Sequence, residues 1–355
     1  MAVTNPQLQA SSMLDLSDFY KRVNKDNTVD DIVEVLNQSN EIMQDILYKE
    51  GNTTDGMRVS VRSGLPQVYW KQFYKGTPPS KSAVQVITEQ CGMMSAESVV
   101  DKDLIDKNGT GTGALLRSQE DKAFIEAIAQ QETYTIFKGN YKKTSEGFSG
   151  FETRYSDGKA TNAKNIIDAS NGQTQDDKKL TSIWLIGWGD NIHGIYPKGS
   201  VMGLQREDMG EQRIDDGTGR NTSYWAYVTR YTKNVGLVVK DWRYAVRIAN
   251  VDVDELRSGT GIGNADVKTT GTNLITMMLD ALTLLPADAK ANFRFYMNRD
   301  VFSGLNSLSL RMNSKVIEWQ KGLDTFGKGQ SWSTFNGIPL RRVDQLTNDE
   351  KHLVK

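Results

Sequence analysis

Between residues 28 and 50 the apolar positions recur every three or four residues. Ile32, Val35, Leu36, Ile42, Met43, Ile46 and Leu47 fall on one stripe of "NTVDDIVEVLNQSNEIMQDILYKEG", which is the spacing of an amphipathic helix. Asn27 or Thr28 supplies its cap, Asp30 and Asp31 suit the positive end of its dipole, and Gly51 closes it. Residues 1–27 are polar and weakly patterned, an extended arm. The arm helix has no second helix beside it in sequence, so Ile32, Val35, Ile42 and Ile46 are candidates for contact with another subunit.

The period then changes to two. "RVSVR" and "SAVQVIT" alternate, with Gly64, Pro66, Gly76, Pro78 and Pro79 between them, so residues 54–90 predict a long two-stranded ribbon with a loop-rich tip. Its charges are mostly basic, and an isolated ribbon of this length is marginal in water. Arg58, Arg62, Trp70, Lys71 and Lys75 are therefore contact candidates on a partner surface. A long helix is predicted over 117–140, with Ser118 and Asp121 resembling a capping box. Phe124, Ala127, Ile128, Gln131 and Tyr134 form its face, and Gly139-Asn140 ends it. Its carboxylates Glu120, Asp121 and Glu126 are a candidate seat for the basic ribbon.

A polar, glycine-bearing stretch (144–179) leads to strand-rich sequence in "LTSIWLIGWG", "SYWAYVTRYT" and "NVGLVVKDWRYAVRIAN". A third helix follows on Leu274, Met277, Met278, Ala281, Leu282 and Leu285, closed by Pro286. "FRFYMNRDVFSGLNSLSLRMNS" (293–314) is a strand, a polar corner and a helix, and "NGIPLRRVD" (336–344) is a last strand. Helices and strands come in separate blocks, the pattern of an α+β fold.

Composition narrows the function. The chain has 355 residues, 38% hydrophobic and 25% charged, enough for a sizeable core. A formal charge of −1 argues against a dedicated nucleic-acid binder, which needs a clustered basic excess. No apolar run approaches membrane-spanning length, and the N-terminus carries no secretory pattern. One cysteine, Cys91, and two histidines, His193 and His352, argue against a disulfide or a zinc or copper site.

Individual motifs favour structure over chemistry. "NGTGTGA" (108–114) and "SGTGIGN" (258–264) lack both the dinucleotide and the P-loop pattern, and are expected to be flexible connections. Asp252, Asp254 and Glu255 lack the rest of a calcium loop, and are expected at a solvated strand end. Trp184, Trp188, Trp225 and Trp242 could form a sugar-stacking platform, although core packing suits their apolar surroundings better. At the corner Asn298-Arg299-Asp300, Asn298 or Asp300 is expected to cap the next helix while Arg299 faces solvent or a neighbour. No catalytic, cofactor or metal residue is assigned.

The order of these segments resembles the major capsid proteins of tailed double-stranded-DNA bacteriophages, with the Hong-Kong-phage capsid fold. "RSGLPQVYWKQFYKGTPPSKSAVQVITEQCGM" stands as the extended loop and "SQEDKAFIEAIAQQETYTIFKGN" as the spine helix. "SIWLIGWGDNIHGIYPKGS", "GLVVKDWRYAVRIANV", "FRFYMNRDVFSGL" and "FNGIPLRRVD" continue it. "GLVVKDWRYAVRIAN" precedes the corner and the "GIP" strand, a permuted order resembling a short-tailed-phage branch. The resemblance implies a non-enzymatic α+β protein divided as arm with helix (1–53), extended β-loop (54–90), peripheral domain with spine helix (91–148), axial domain (149–221), peripheral return strands (222–257) and axial domain again (258–355).

It also implies self-assembly as pentamers and hexamers into an icosahedral head of the virion, built in the host cytoplasm. Scaffolding, portal and decoration proteins are the expected partners, with packaged double-stranded DNA held non-specifically on the inner face. No cofactor and no membrane are implied. A carbohydrate-active or hydrolytic phage protein and a tube-forming tail-assembly protein are the alternatives.

Overall fold

The computed structural model describes residues 40–106, 110–170, 179–215, 223–258, 274–311, 317–323 and 329–353. Ile32, Val35 and Leu36 of the expected arm helix lie outside them, as does the glycine-rich run from 259 onward. The helix that is described is a single turn, α1 (Ile42–Asp45), because Ile46 turns extended and Tyr48–Glu50 form a strand, β1. The expected helical continuation through Lys49 is therefore incorrect. Sheet hydrogen bonding overrides helix propensity here: the Gly194 N–H donates to the Leu47 carbonyl and the Gly51 N–H to the Tyr196 carbonyl.

The ribbon forms as the alternation predicts. β2 (Gly56–Gly64) pairs antiparallel with β3 (Ala83–Asp101). Then come α2 (Lys102–Asp106) and α3 (Thr110–Lys138). The long helix thus starts seven residues before the expected Arg117, and "TGTG" is its first turn rather than a loop. Ser118 sits inside the helix and caps nothing. Each interior glycine costs a helix about 1 kcal/mol relative to alanine, a penalty that a cooperative 29-residue helix absorbs. Its end is as expected: a Cβ on Gly139 would lie 2.4 Å from the Thr135 carbonyl oxygen and 2.5 Å from that of Phe148.

The remaining elements are α4 (Phe151–Arg154), β4 (Ile166–Asp168), β5 (Leu180–Trp188), β6 (Ile192–Tyr196), β7 (Gln205–Asp215), β8 (Ser223–Val239), β9 (Ala245–Asp252), α5 (Val253–Ser258), α6 (Leu274–Thr283), β10 (Asn292–Met297), α7 (Arg299–Arg311), β11 (Ile317–Leu323), β12 (Gly329–Phe335) and β13 (Ile338–Arg342). One sheet runs β1–β6–β8–β3–β2, with β7 also on β8; the other runs β11–β12–β13–β10–β5–β9–β4.

The chain divides into two compact units. Among described residues, the first holds 93–132 and 201–234; the second holds 40–92, 133–200 and 235–353. In the second, β5 is buried along its whole length, as expected of a central strand covered on both faces. Ile183 and Leu185 point with Phe295 and Met297 of β10 into a core shared with α6 and α7. The alternate residues Trp184, Trp188 and Tyr296 pack under Phe137, Phe151 and Tyr155. A chain-terminal strap closes this unit: Arg247, buried above Trp184, pairs with buried Glu350 at 2.9 Å, and Asn250 exchanges two hydrogen bonds with the Leu353 backbone.

In the first unit, ion pairs tie α2 and α3 to β7. Lys102 meets Glu211 at 2.9 Å, Arg117 meets Asp208 at 2.8 Å, and Arg206 meets Asp121 at 2.8 Å. Arg117 also lies over the Tyr227 ring, and Phe124 stacks on Tyr231. The expected face of α3 holds only in part. Ile128 is buried, whereas Ala127, Gln131 and Tyr134 are exposed and the fully buried positions are Glu132, Thr133, Ile136 and Phe137.

Candidate functional site

The ribbon is built upward from a fixed root. Asn52 clamps the Arg58 peptide with its side chain, Nδ2 donating to the carbonyl and Oδ1 accepting from the N–H, both at 2.7 Å. Glu89, on the opposite strand, takes a two-pronged hydrogen bond from Arg154 (2.5 and 2.7 Å). This charge-assisted fork is buried on the carboxylate side. At Gly56 the backbone is left-handed and a Cβ would lie 2.1 Å from the Glu89 carbonyl oxygen, so the crossing admits no side chain.

Beyond the root the ribbon is bare. Arg58, Arg62, Lys71 and Lys75 are exposed and make no ion pair among the described residues. Trp70 is 101% exposed, with Phe73 at 94% and Tyr74 at 107%, and Leu65 and Val68 also stand free. Tyr74 holds a left-handed φ of 61°, a strained conformation for an aromatic residue. Of this apolar tip, Trp70 alone is among the contact candidates expected from the sequence. Phe73 and Tyr74 were equally legible as aromatics inside a loop bounded by glycine and proline.

The other candidates are placed differently. Ile42 and Ile46 are buried within the chain's own body, so their side chains are not offered to another subunit as expected. Asp45, between them, explains why. It accepts from Arg341 (3.0 and 3.1 Å) and from the Tyr296 hydroxyl (3.0 Å), with Arg294 at 3.4 Å. The acidic seat on α3 is also occupied. Asp121 is taken by Arg206 and Tyr231, Glu126 accepts from Gln130 at 2.8 Å, and Glu120 has a partner of its own. Those carboxylates already have cationic or hydrogen-bonding partners within the unit.

The polar corner is structural. Asn298 Oδ1 accepts the Val301 N–H at 2.8 Å, capping α7, and Arg299 is exposed. Asp300 is not a cap: it holds Arg257 at 2.5 Å and Asn348 at 2.7 Å. Asp252 is buried and caps α5 through the Asp254 and Glu255 N–H groups, so the expected solvated strand end fails at Asp252, while Asp254 is exposed and Glu255 half-buried. Trp184 and Trp188 are core residues, Trp242 is half-buried and Trp225 is 56% exposed. Trp184 and Trp188 thus take the core role that their apolar surroundings favour.

His193 is fully buried on β6, and burial, reinforced by Lys240 and Lys49, pushes it down to about 4. No described group of three or more His, Cys, Asp or Glu side chains is placed to hold a metal ion. No helix among the described residues is long and apolar enough to cross a membrane.

The profile of the family described as major capsid protein GP7 matches residues 24–354. A chain from the cryo-EM structure of bacteriophage Epsilon15 superposes with a TM-score of 0.74 at 25% identity, covering 99% of each chain. The bacteriophage JBD30 capsid aligns over 98% of this chain and 100% of its own, at 10% identity and a TM-score of 0.46, too low to weigh in the argument. No curated protein matches. The family match spans both units, and the fold is the Hong-Kong-phage capsid fold. The chain belongs to the major capsid protein GP7 family and is a shell protein of the icosahedral tailed-phage head.

Proposed function

We propose that the ribbon joins copies of this chain into the shell, as pentamers and hexamers, and that the chain acts without catalysing a reaction. The observation that carries this is the tip: Trp70, Phe73 and Tyr74 are almost wholly exposed on an arm fastened only at its root. Burying one such side chain is worth about 1.5–3 kcal/mol. An exposed apolar cluster of this kind marks an interaction surface, and a contact of ribbon against body closes into rings when the rotation closes. Arg58, Arg62, Lys71 and Lys75 steer the approach by charge.

The same reading assigns the arm, β-loop, peripheral and axial parts the boundaries 1–53, 54–90, 91–148 with 222–257, and 149–221 with 258–355. It places assembly in the host cytoplasm with scaffolding, portal and decoration proteins as partners. Packaged DNA meets the inner face without sequence preference, consistent with a net charge of −1. The test is the triple variant Trp70→Ser, Phe73→Ser, Tyr74→Ser. Subunits should keep their circular dichroism and melting temperature while shells vanish from negative-stain images. Normal shells would remove the joining role from the ribbon.

A further inference from the structure

The strap over residues 344–353 crosses the second unit without forming a strand or a helix. Its holds are single contacts. Asn348 sits between Asn298 and Asp300, Glu350 meets Arg247 and Ser182, and the Leu353 N–H donates to Asn250 Oδ1 at 2.8 Å. The Glu350 N–H donates to the Leu180 carbonyl at 3.1 Å, and Lys138 reaches Thr347 at 2.5 Å. Only two of the ten residues are apolar, Leu346 and Leu353. Both are buried, a small apolar hold for a segment of that length.

The side chains that receive Asn348, Glu350 and Leu353 each have a second partner outside the strap. Asp300 holds Arg257 at 2.5 Å, Asn298 accepts the Val301 N–H at 2.8 Å, and Asn250 donates to Asp168 at 2.7 Å. Arg247 has the most. Its Nε donates to Ser182 at 3.0 Å and its Nη1 to the Tyr155 carbonyl at 2.8 Å, while Nη2 faces Glu152 at 3.8 Å as well as Glu350 at 2.9 Å. Taking one partner from a buried ion pair is normally costly because it strands a charge. Here the departure of Glu350 leaves Arg247 a carboxylate.

Two carboxylates on one guanidinium also repel each other. Burial, and after it the Glu350 charge, hold the Glu152 carboxyl above its usual range against the pull of Arg247 and Lys138. Glu152 is 33% exposed and Glu350 only 4%, so solvent reaches Glu152 with the strap closed and reaches Glu350 only when the strap leaves.

We infer that residues 344–353 form a latch that opens and recloses as a unit while the sheet beneath stays folded, with Glu152 the reserve partner that takes Arg247 when Glu350 leaves. Glu152 works against the closed latch in both states: it repels Glu350 when the latch is shut and compensates Arg247 when it is open. Opening of this kind lies below global unfolding in free energy, and it gives the subunit one face that rearranges without loss of its core.

Hydrogen exchange of the full-length subunit, resolved to the Glu350 and Leu353 amides, tests the latch. Both amides are hydrogen-bonded when it is closed. They should exchange at least about a hundredfold faster than the Leu185 and Ile186 amides of the central strand β5. Glu152→Gln should slow the two strap amides by about fivefold, the upper end for a partly exposed pair. Glu350→Gln should speed them by about tenfold or more. An ordinary structural ion pair predicts the opposite sign for Glu152→Gln, because losing it would loosen the strap. Strap amides that exchange as slowly as β5 overturn the inference. So do strap amides that are faster or unchanged in Glu152→Gln, or unchanged in Glu350→Gln. Exchange in β5 shows whether each variant is folded, and if Glu350→Gln is not, Asn348→Ala replaces it with the same expected acceleration.

Discussion

The Tyr296 hydroxyl donates a hydrogen bond to Asp45 Oδ2 at 3.0 Å, across 251 residues of chain. The Trp188 indole N–H donates to the same Tyr296 oxygen at 2.7 Å, so the central sheet reaches the start of the described chain through a continuous polar path. Arg341 adds its fork to the same carboxylate. Asp45 is thereby the pin that fixes α1 to β10 and β13.

Removing that pin strands cations. Breaking a buried ion pair typically costs about 3–5 kcal/mol, and because Arg294 and Arg341 retain partial solvent access, the lower end is expected for Asp45→Ala. Tyr296→Phe removes only hydrogen bonds, and each is worth roughly 1 kcal/mol. Denaturant melts of the two variants should rank in that order. A milder loss for Asp45→Ala than for Tyr296→Phe would show that the arginines do not depend on this carboxylate.

At the corner, Asn298→Ala should cost about 0.5–2 kcal/mol through the lost cap. Phe295→Ala, which empties core beside Phe335, should cost about 3–5 kcal/mol. Asp300→Ala should assemble and package DNA normally. Dead phage carrying intact, equally stable, filled Asp300→Ala heads would return catalysis to this corner.

Acid should weaken the body through His193. Burial lowers its folded value to about 4 against an ordinary 6.5, so below about pH 6.5 the unfolded chain takes up a proton that the native chain refuses. Above that the group contributes nothing. As pH falls from 6.5 to 4 it removes roughly 3 kcal/mol of stability. Lys49 and Lys240 stand beside it, and Asp190 is engaged with Lys49. Melting temperatures measured from pH 7 to pH 4 should fall less steeply for His193→Leu than for the natural chain, and parallel curves would exclude the histidine as the cause.

Reversing Arg58 and Arg62 to Glu together should leave subunit melting within about 0.5 kcal/mol, since both are exposed and make no ion pair among the described residues. Shell formation should slow, most of all at low salt where charge steering is strongest. Assembly by light scattering at two ionic strengths reads this directly. Unchanged rates at both would dismiss any electrostatic part for the ribbon.

Local pattern was enough to determine much of this molecule. Alternation in "RVSVR" and "SAVQVIT" set the paired strands β2 and β3, the apolar run "LTSIWLIGW" set a doubly buried strand, and Asn298 before an apolar helix set its cap. Those features depend on neighbours a few residues away, so period and capping chemistry carry them. The end of α1 at Asp45, the extension of α3 back to Thr110, the strand β7 and the clamp on Asp45 were decided by tertiary structure. For α1 and Asp45, residues far apart in sequence supply the partner, whereas β7 pairs with the strand that follows it, β8. Helix propensity around Leu47 lost to backbone bonds from β6, and on α3 Asp121 went to Arg206 of β7 while Glu126 went to nearby Gln130. The sequence could name the charges and the apolar stripes, but which charge was already spent, and which stripe was already covered, depended on long-range pairing that no local period encodes.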